Sequence, residues 1–236
     1  MRAKYLMNDR ELELELGRSL FPPLPRVDLV PERTALLTID LQYLDAHPDY
    51  GVGRRAKESG NSELLRPYFE DVARLVSNVQ MLQATARRVH MQNIHICISP
   101  HTQDARDCPP ISRMRGARAP RSSRENDILD DVRPYPDEIV LRKISSSAFL
   151  STDLNLVLRN MAIDTVVCCG VVTSGCIEST ARNARDLGYK VVVVSDGCAS
   201  WTRDLHERSL RFISCNVGNV LTAREVVAAV TSDVPA

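Results

Sequence analysis

Short apolar runs rich in valine and isoleucine alternate with segments of helical spacing along most of this chain, and that alternation limits it to very few architectures. The runs are Ala35–Asp40, Asn93–Ser99, Glu138–Leu141, Thr165–Cys169, Lys190–Val194 and Asn219–Leu221. Between them lie helix-period segments. The longest starts at Asn61 or Ser62 and carries Tyr68, Phe69, Val72, Leu75, Val76, Val79 and Leu82 on one face. Others cover 154–161, 203–214 and 223–230, and Ile177, Ala181, Ala184 and Leu187 mark one more. Strands that alternate with helices and are themselves continuously apolar form a parallel sheet covered on both faces.

At 236 residues the chain fits one large domain with a full core. Residues 1–32, broken by Pro22, Pro23, Pro25 and Pro31, read as an N-terminal arm with a short helix near Asp9–Leu20, and 33–236 as the domain. Asp45 through Gly60 carries proline, glycine and charge and reads as a loop. Thirty basic residues balance thirty acidic ones, so no overall field favours nucleic acid or a membrane surface. No apolar run approaches a membrane span, and Met1-Arg2-Ala3-Lys4 leads into no signal-like apolar stretch. Seven cysteines without a CxxC pair fit reduced thiols in a cytoplasmic compartment. Cys168 and Cys169, adjacent on a strand, point to opposite faces and cannot bridge.

In open parallel sheets, ligands collect beyond the carboxyl ends of the strands. Three chemically useful side chains fall there: Asp40, Lys143, and Cys176 in the turn Gly170-Val171-Val172-Thr173-Ser174-Gly175-Cys176. A cysteine in the first turn of a helix meets unpaired N–H groups at the positive end of the dipole, which lowers a thiol pKa and suits an oxyanion. The same thiol could equally be one more buried apolar residue. Together the three form a coherent set: Cys176 attacks an amide-type carbonyl, Asp40 moves the proton, and Lys143 neutralises Asp40. Backbone N–H groups of Val172 and Cys176 are the natural oxyanion donors.

Several dispersed motifs extend this set. They are Leu37-Thr38-Ile39-Asp40-Leu41-Gln42, Lys143 with Ser147-Ala148-Phe149, Gly170-Val171-Val172-Thr173 before Cys176, Ala181-Arg182-Asn183-Ala184 with Gly188-Tyr189, and Val194-Ser195-Asp196. In this order, from about Thr34 to Val230, the chain resembles the isochorismatase-like cysteine hydrolases, which include nicotinamidases and N-carbamoylsarcosine, ureidoacrylate and biuret amidohydrolases. The resemblance implies an α/β fold: a three-layer α/β/α arrangement on a mostly parallel, Rossmann-like sheet of about six strands. It assigns Asp40, Lys143 and Cys176 as the triad, with a cis peptide before Val172. Isochorismatases proper cleave a vinyl ether without the cysteine, so Cys176 points to carbon–nitrogen bond hydrolysis of a small amide, ureide or carbamoyl compound. A homo-oligomer, dimer or tetramer, is expected by resemblance. A non-catalytic scaffold that keeps the fold is the alternative, and a redox sensor lacks a resolving cysteine.

No cofactor and no metal is expected. Nicotinamidases hold zinc after the second strand, where this chain reads Ser99-Pro100-His101-Thr102-Gln103-Asp104. Asp45-Ala46-His47 has the ligand spacing but no second histidine. Gln42, Tyr43, His101 and Phe149 flank the strand ends and are the substrate-binding candidates. Trp201 reads as core packing, and His206 as a surface or packing residue. The segment 101–131, with arginines at 106, 113, 115, 118, 121 and 124, reads as a solvated excursion or oligomer contact. An arginine lid that recognises an anionic substrate is the sharper alternative.

Overall fold

The computed structural model describes residues 19–20 and 22–232, so most of the expected N-terminal helix near Asp9–Leu20 lies outside the described residues. Six strands form one sheet: β1 (Thr34–Ile39), β2 (Gln92–Ile98), β3 (Ile139–Lys143), β4 (Thr165–Val171), β5 (Lys190–Ala199) and β6 (Asn219–Leu221). Their order is β3-β2-β1-β4-β5-β6, and every pairing is parallel. The chain builds outward from β1 to β3, then crosses back to β4 and builds the other way. The switch point therefore lies between the carboxyl ends of β1 and β4.

Alternation along each strand divides the core into two layers. Leu36, Val167, Cys169, Val192 and Val194 face α3 (Ser62–Arg88) and α8 (Ala223–Thr231), meeting Val72, Leu75, Val79, Leu82 and Val226. Leu37, Ile39, Val166, Cys168 and Val193 face the opposite layer of α5 (Leu154–Asn160), α6 (Glu178–Asp186) and α7 (Arg203–Asn216). Cys168 and Cys169 thus lie on opposite faces, and all seven cysteines are free. Leu36, Leu37 and Ile39 are fully buried, each contributing about 1.5–3 kcal/mol of hydrophobic stabilisation.

Gly170 marks a constraint at the switch point. It adopts φ +121°, and a Cβ there would lie 1.9 Å from the Ile39 carbonyl oxygen. The β4–β5 pairing shifts register between Cys168 and Gly170. A glycine at this position lets β4 press against the end of β1, bringing the turn after β4 next to Asp40.

The 45–60 segment departs from the expected loop. It holds α1 (Tyr43–Ala46) and α2 (Gly51–Glu58). Glycine and proline there read as turn signals, but Gly51 and Gly53 serve close packing, since side chains would strike the Leu44 and Pro48 carbonyls. The start of α2 is bound by a distant group: Gly51 N–H donates to Glu125 Oε1 at 3.0 Å. A carboxylate at a helix N-terminus is favourable, and no local pattern announces it.

Residues 101–131 have little regular structure beyond α4 (Pro110–Met114) and short 3₁₀ turns at Arg124–Asn126 and Asp130–Val132. Their end is nonetheless stitched to the sheet. Leu129 N–H donates to Leu41 O, Tyr43 N–H donates to Asp127 O, and Gln42 pairs with Ile128. Ala119 is buried with Leu44 and Ile98. The arginine-rich segment therefore covers the carboxyl ends of β1 and β2.

Candidate active site

Asp40 follows the last residue of β1 and takes φ +53°, in the left-handed region that aspartate enters more readily than branched residues. Its N–H donates to Ile96 O at 2.8 Å. Lys143 ends β3, the outermost strand, two strand spacings (roughly 10 Å) from β1. Only a long side chain crosses that gap, and Lys143 Nζ reaches Asp40 Oδ2 at 2.8 Å. The pair is sealed: Lys143 and Asp40 are 0% and 1% exposed. Beyond this ion pair, the ammonium donates to Ser145 O at 3.0 Å and to Cys176 Sγ at 3.2 Å.

The Asp40–Lys143 contact is an ion pair by distance but misses hydrogen-bond angles, so both buried Asp40 oxygens lack a hydrogen-bond partner. A buried carboxylate in that state is a strong acceptor. Burial would push the Lys143 ammonium toward neutrality, yet Asp40 and Cys176 outweigh it and hold its pKa above the usual lysine value. Burial, and then the Asp40 charge, push the Cys176 thiol up to about 12 against the pull of Lys143.

That direction corrects the expectation of a depressed thiol pKa. Cys176 lies in a single π-helical turn, Thr173–Ile177, before α6 begins, and desolvation beside a carboxylate exceeds the benefit of the helix end. Burial beside Asp40 thus favours a neutral thiol over a preformed thiolate. The expected cis peptide is present between Val171 and Val172.

Two contacts hold this turn. Thr173 Oγ1 lies 2.7 Å from His206 Nδ1, and Ser174 Oγ lies 2.7 Å from Ser200 Oγ. Thr173 is fully buried. His206 thus has a task that its helical position did not disclose: it ties α7 to the turn carrying Cys176.

The substrate-binding candidates are placed differently. Gln42 is fully buried, and its amide donates to Ile98 O and Asn126 O while accepting from Ile98 N–H. Both of its donors are used, so Gln42 is a latch and not an amide reader. The Tyr43 hydroxyl donates to Asp130 Oδ2 and accepts from Arg124, and its ring stacks on His47. Phe149 packs 5.7 Å from the Tyr189 ring within the core. His101 is exposed and lines a cavity of about 650 Å³ whose walls include Cys97 and Arg142 but none of Asp40, Lys143 or Cys176. Trp201 packs on Tyr68, 4.7 Å between ring centroids.

Asp45, read in the sequence only as part of a ligand-type spacing, bears on the electrostatics of the site. Asp45, in α1, interacts electrostatically with Asp40, Lys143, Arg118 and Arg55, and burial followed by the Asp40 charge raises its pKa to about 6. Arg118, from the arginine-rich segment, is half-buried, and its charge acts to lower the Asp45 pKa. Among the described residues, no group of three or more histidine, cysteine, aspartate or glutamate side chains is placed to hold a metal ion.

The isochorismatase domain profile matches residues 34–225. The isochorismatase family protein YwoC of Bacillus subtilis is 42% identical over 99 residues, 42% of this chain and 52% of that protein. Maleamate amidohydrolase of Pseudomonas putida is 36% identical over 96 residues, 41% of this chain and 45% of that enzyme. The aligned stretch thus spans about half the length of these two relatives. A cysteine hydrolase structure from Pseudomonas syringae superposes with a TM-score of 0.77 at 26% identity, covering 89% of this chain and 98% of that one.

Proposed function

The chain belongs to the isochorismatase family, and from that premise we propose that it is a cysteine-dependent amidohydrolase, cleaving the carbon–nitrogen bond of a small amide, ureide or carbamoyl compound. One observation carries the proposal: Lys143, wholly buried, contacts both Asp40 and Cys176. Kinship with maleamate amidohydrolase supports the reaction class.

Asp40 takes the thiol proton as Cys176 Sγ attacks the substrate carbonyl carbon. Thiolate formation and bond formation are then coupled, as a neutral thiol near pKa 12 requires. Lys143 stays protonated and offsets the charge spread over Asp40 and sulfur. The N–H groups of Val172 and Cys176 hold the tetrahedral oxyanion. Collapse breaks the C–N bond, Asp40 returns the proton to the leaving nitrogen, and a thioester remains on Cys176. Water then attacks with Asp40 as base, releasing the acid and restoring the thiol.

Hydroxylamine tests the thioester directly. A panel of small amides should yield ammonia in water and hydroxamates when hydroxylamine is added, and both products should vanish in Cys176→Ala. Hydrolysis that persists in Cys176→Ala excludes the mechanism. No turnover of any amide by a folded protein leaves the non-catalytic scaffold as the reading.

A further inference from the structure

Lys143 is the last residue of the edge strand β3, and the loop that follows it turns back onto the same ammonium. Lys143 Nζ donates to Ser145 O at 3.0 Å, beside its contacts with Asp40 Oδ2 and Cys176 Sγ. Of these three acceptors, the Ser145 carbonyl is the backbone group, so its place is set by the course of the loop and not by a side-chain rotamer.

One hydroxyl sets that course. Ser151 Oγ accepts from Ile144 N–H at 3.1 Å and from Ser145 N–H at 3.2 Å, and it lies 2.7 Å from Ser145 Oγ. Ser145 Oγ spends its own proton on Ser147 O at 2.8 Å, so Ser151 supplies the proton between the two hydroxyls. Both acceptor positions and the single O–H of Ser151 are thereby engaged. Anchored at its N–H and at its hydroxyl, Ser145 keeps one orientation, with its carbonyl toward Lys143 Nζ. A further bond joins the loop to the side of the site that carries the cysteine: Ala148 N–H donates to the fully buried Thr180 Oγ1 of α6 at 3.1 Å. Thr152, beside Ser151, serves elsewhere. Its hydroxyl donates to Ala148 O and accepts from Leu154 N–H, which ties the 3₁₀ turn at Ala148–Leu150 to the start of α5.

Building on the amidohydrolase reading, we propose that Ser151 is a positioning residue: its hydroxyl anchors Ser145 so that the Ser145 carbonyl holds the Lys143 ammonium between Asp40 and Cys176. Without that hydroxyl two N–H groups lose their acceptor, and the carbonyl and the ammonium bound to it shift away from sulfur. The thiolate is the nucleophilic form of cysteine, and it then loses the cation that offsets its charge. Small displacements of such a group cost large factors in rate.

Alkylation of Cys176 by iodoacetamide at pH 8, followed on the Cys176 peptide by mass spectrometry, reads the thiol without any substrate. Ser151→Ala should slow it at least 5-fold and should lower kcat on an amide substrate by a similar factor, with KM nearly unchanged. Ser151→Thr, which keeps the hydroxyl, should recover most of both. Thr152→Val changes the same loop but spares Ser145, and should alkylate as the wild type does. A wild-type alkylation rate in Ser151→Ala, or an equal slowing in Thr152→Val, overturns the assignment. Where Ser151→Ala does not fold, Ser145→Ala carries the test, because it removes the acceptor of the Ser151 proton: slowing of at least 2-fold supports the assignment, and a wild-type rate overturns it. Slowed alkylation in a protein that turns over no amide supports the role of Ser151 while overturning the hydrolase reading, so the two fail separately.

Discussion

The Lys143 ammonium lies 2.8 Å from the Asp40 carboxylate, and neither side chain reaches solvent. A buried pair of this kind is costly to break, because removing one partner leaves the other charge uncompensated. Lys143 also lies 3.2 Å from Cys176, so stability and the proposed chemistry share one contact and can be separated by mutation.

Lys143→Met should destabilise the protein by about 3–5 kcal/mol and reduce amide turnover by at least ~10³-fold. Asp40→Asn combined with Lys143→Met removes both charges and should recover much of the lost stability without recovering activity. Denaturant unfolding of the two variants measures the first effect, and ammonia release the second. A double variant no more stable than Lys143→Met contradicts the coupling.

His206 should act through Thr173 and not through substrate. His206→Ala is expected to lower kcat about 10–100-fold with KM nearly unchanged, since the turn bearing Cys176 loses a tether. His206→Gln, which can still accept from Thr173, should recover part of kcat. A change confined to KM would place His206 in substrate binding instead.

Asp45 is a carboxyl whose ionisation weakens the fold. Its pKa rises from 3.8 to about 6 through burial and the neighbouring Asp40 charge. Below pH 3.8 it is protonated in both folded and unfolded states and contributes nothing. Between pH 3.8 and 6 the unfolded state ionises while the folded state holds its proton, so stability falls by about 2 kcal/mol, allowing for partial exposure, and the loss is complete above pH 6. Asp45→Asn should therefore raise Tm at pH 7.5 and leave it unchanged at pH 3.5. Equal shifts at both pH values would refute the linkage.

Glu138 behaves in the opposite sense. Burial alone would raise its pKa, but the Arg87 fork, the Tyr135 N–H, Asn93 and His95 together hold it down at about 2. The stabilisation is full above pH 4.5 and is lost as pH falls toward 2. Glu138→Gln should cost about 2 kcal/mol near neutrality, after solvent screening at Arg87 is allowed for, with the gap closing between pH 4.5 and 2. Urea unfolding across that range measures it. A gap that persists at pH 2 would mean the loss is one of packing and not of charge.

Strand and helix periodicities placed five strands within one or two residues, and the start but not the end of β5, which runs on to Ala199, because each element carries its own apolar pattern. The same reading put Asp40, Lys143 and Cys176 at three strand ends, since a parallel sheet brings those ends to one edge wherever the strands come in sequence. What it missed depends on contacts across the chain. Helix α2 is capped by Glu125, which lies 74 residues away. Gln42, a candidate reader of substrate, spends its amide on Ile98 and Asn126, 56 and 84 residues away. The thiol expected to ionise easily is instead pushed to about 12, because burial and the adjacent carboxylate exist only once β1 and β4 meet. His206 carried no local signal, as its role lies in which group it faces. Sequence by itself determined the layers and the residue types at the site, because periodicity and strand ends are local. The tertiary structure alone decided which of those groups are desolvated, paired or left without a partner, because those properties belong to distances between residues that the chain order does not contain.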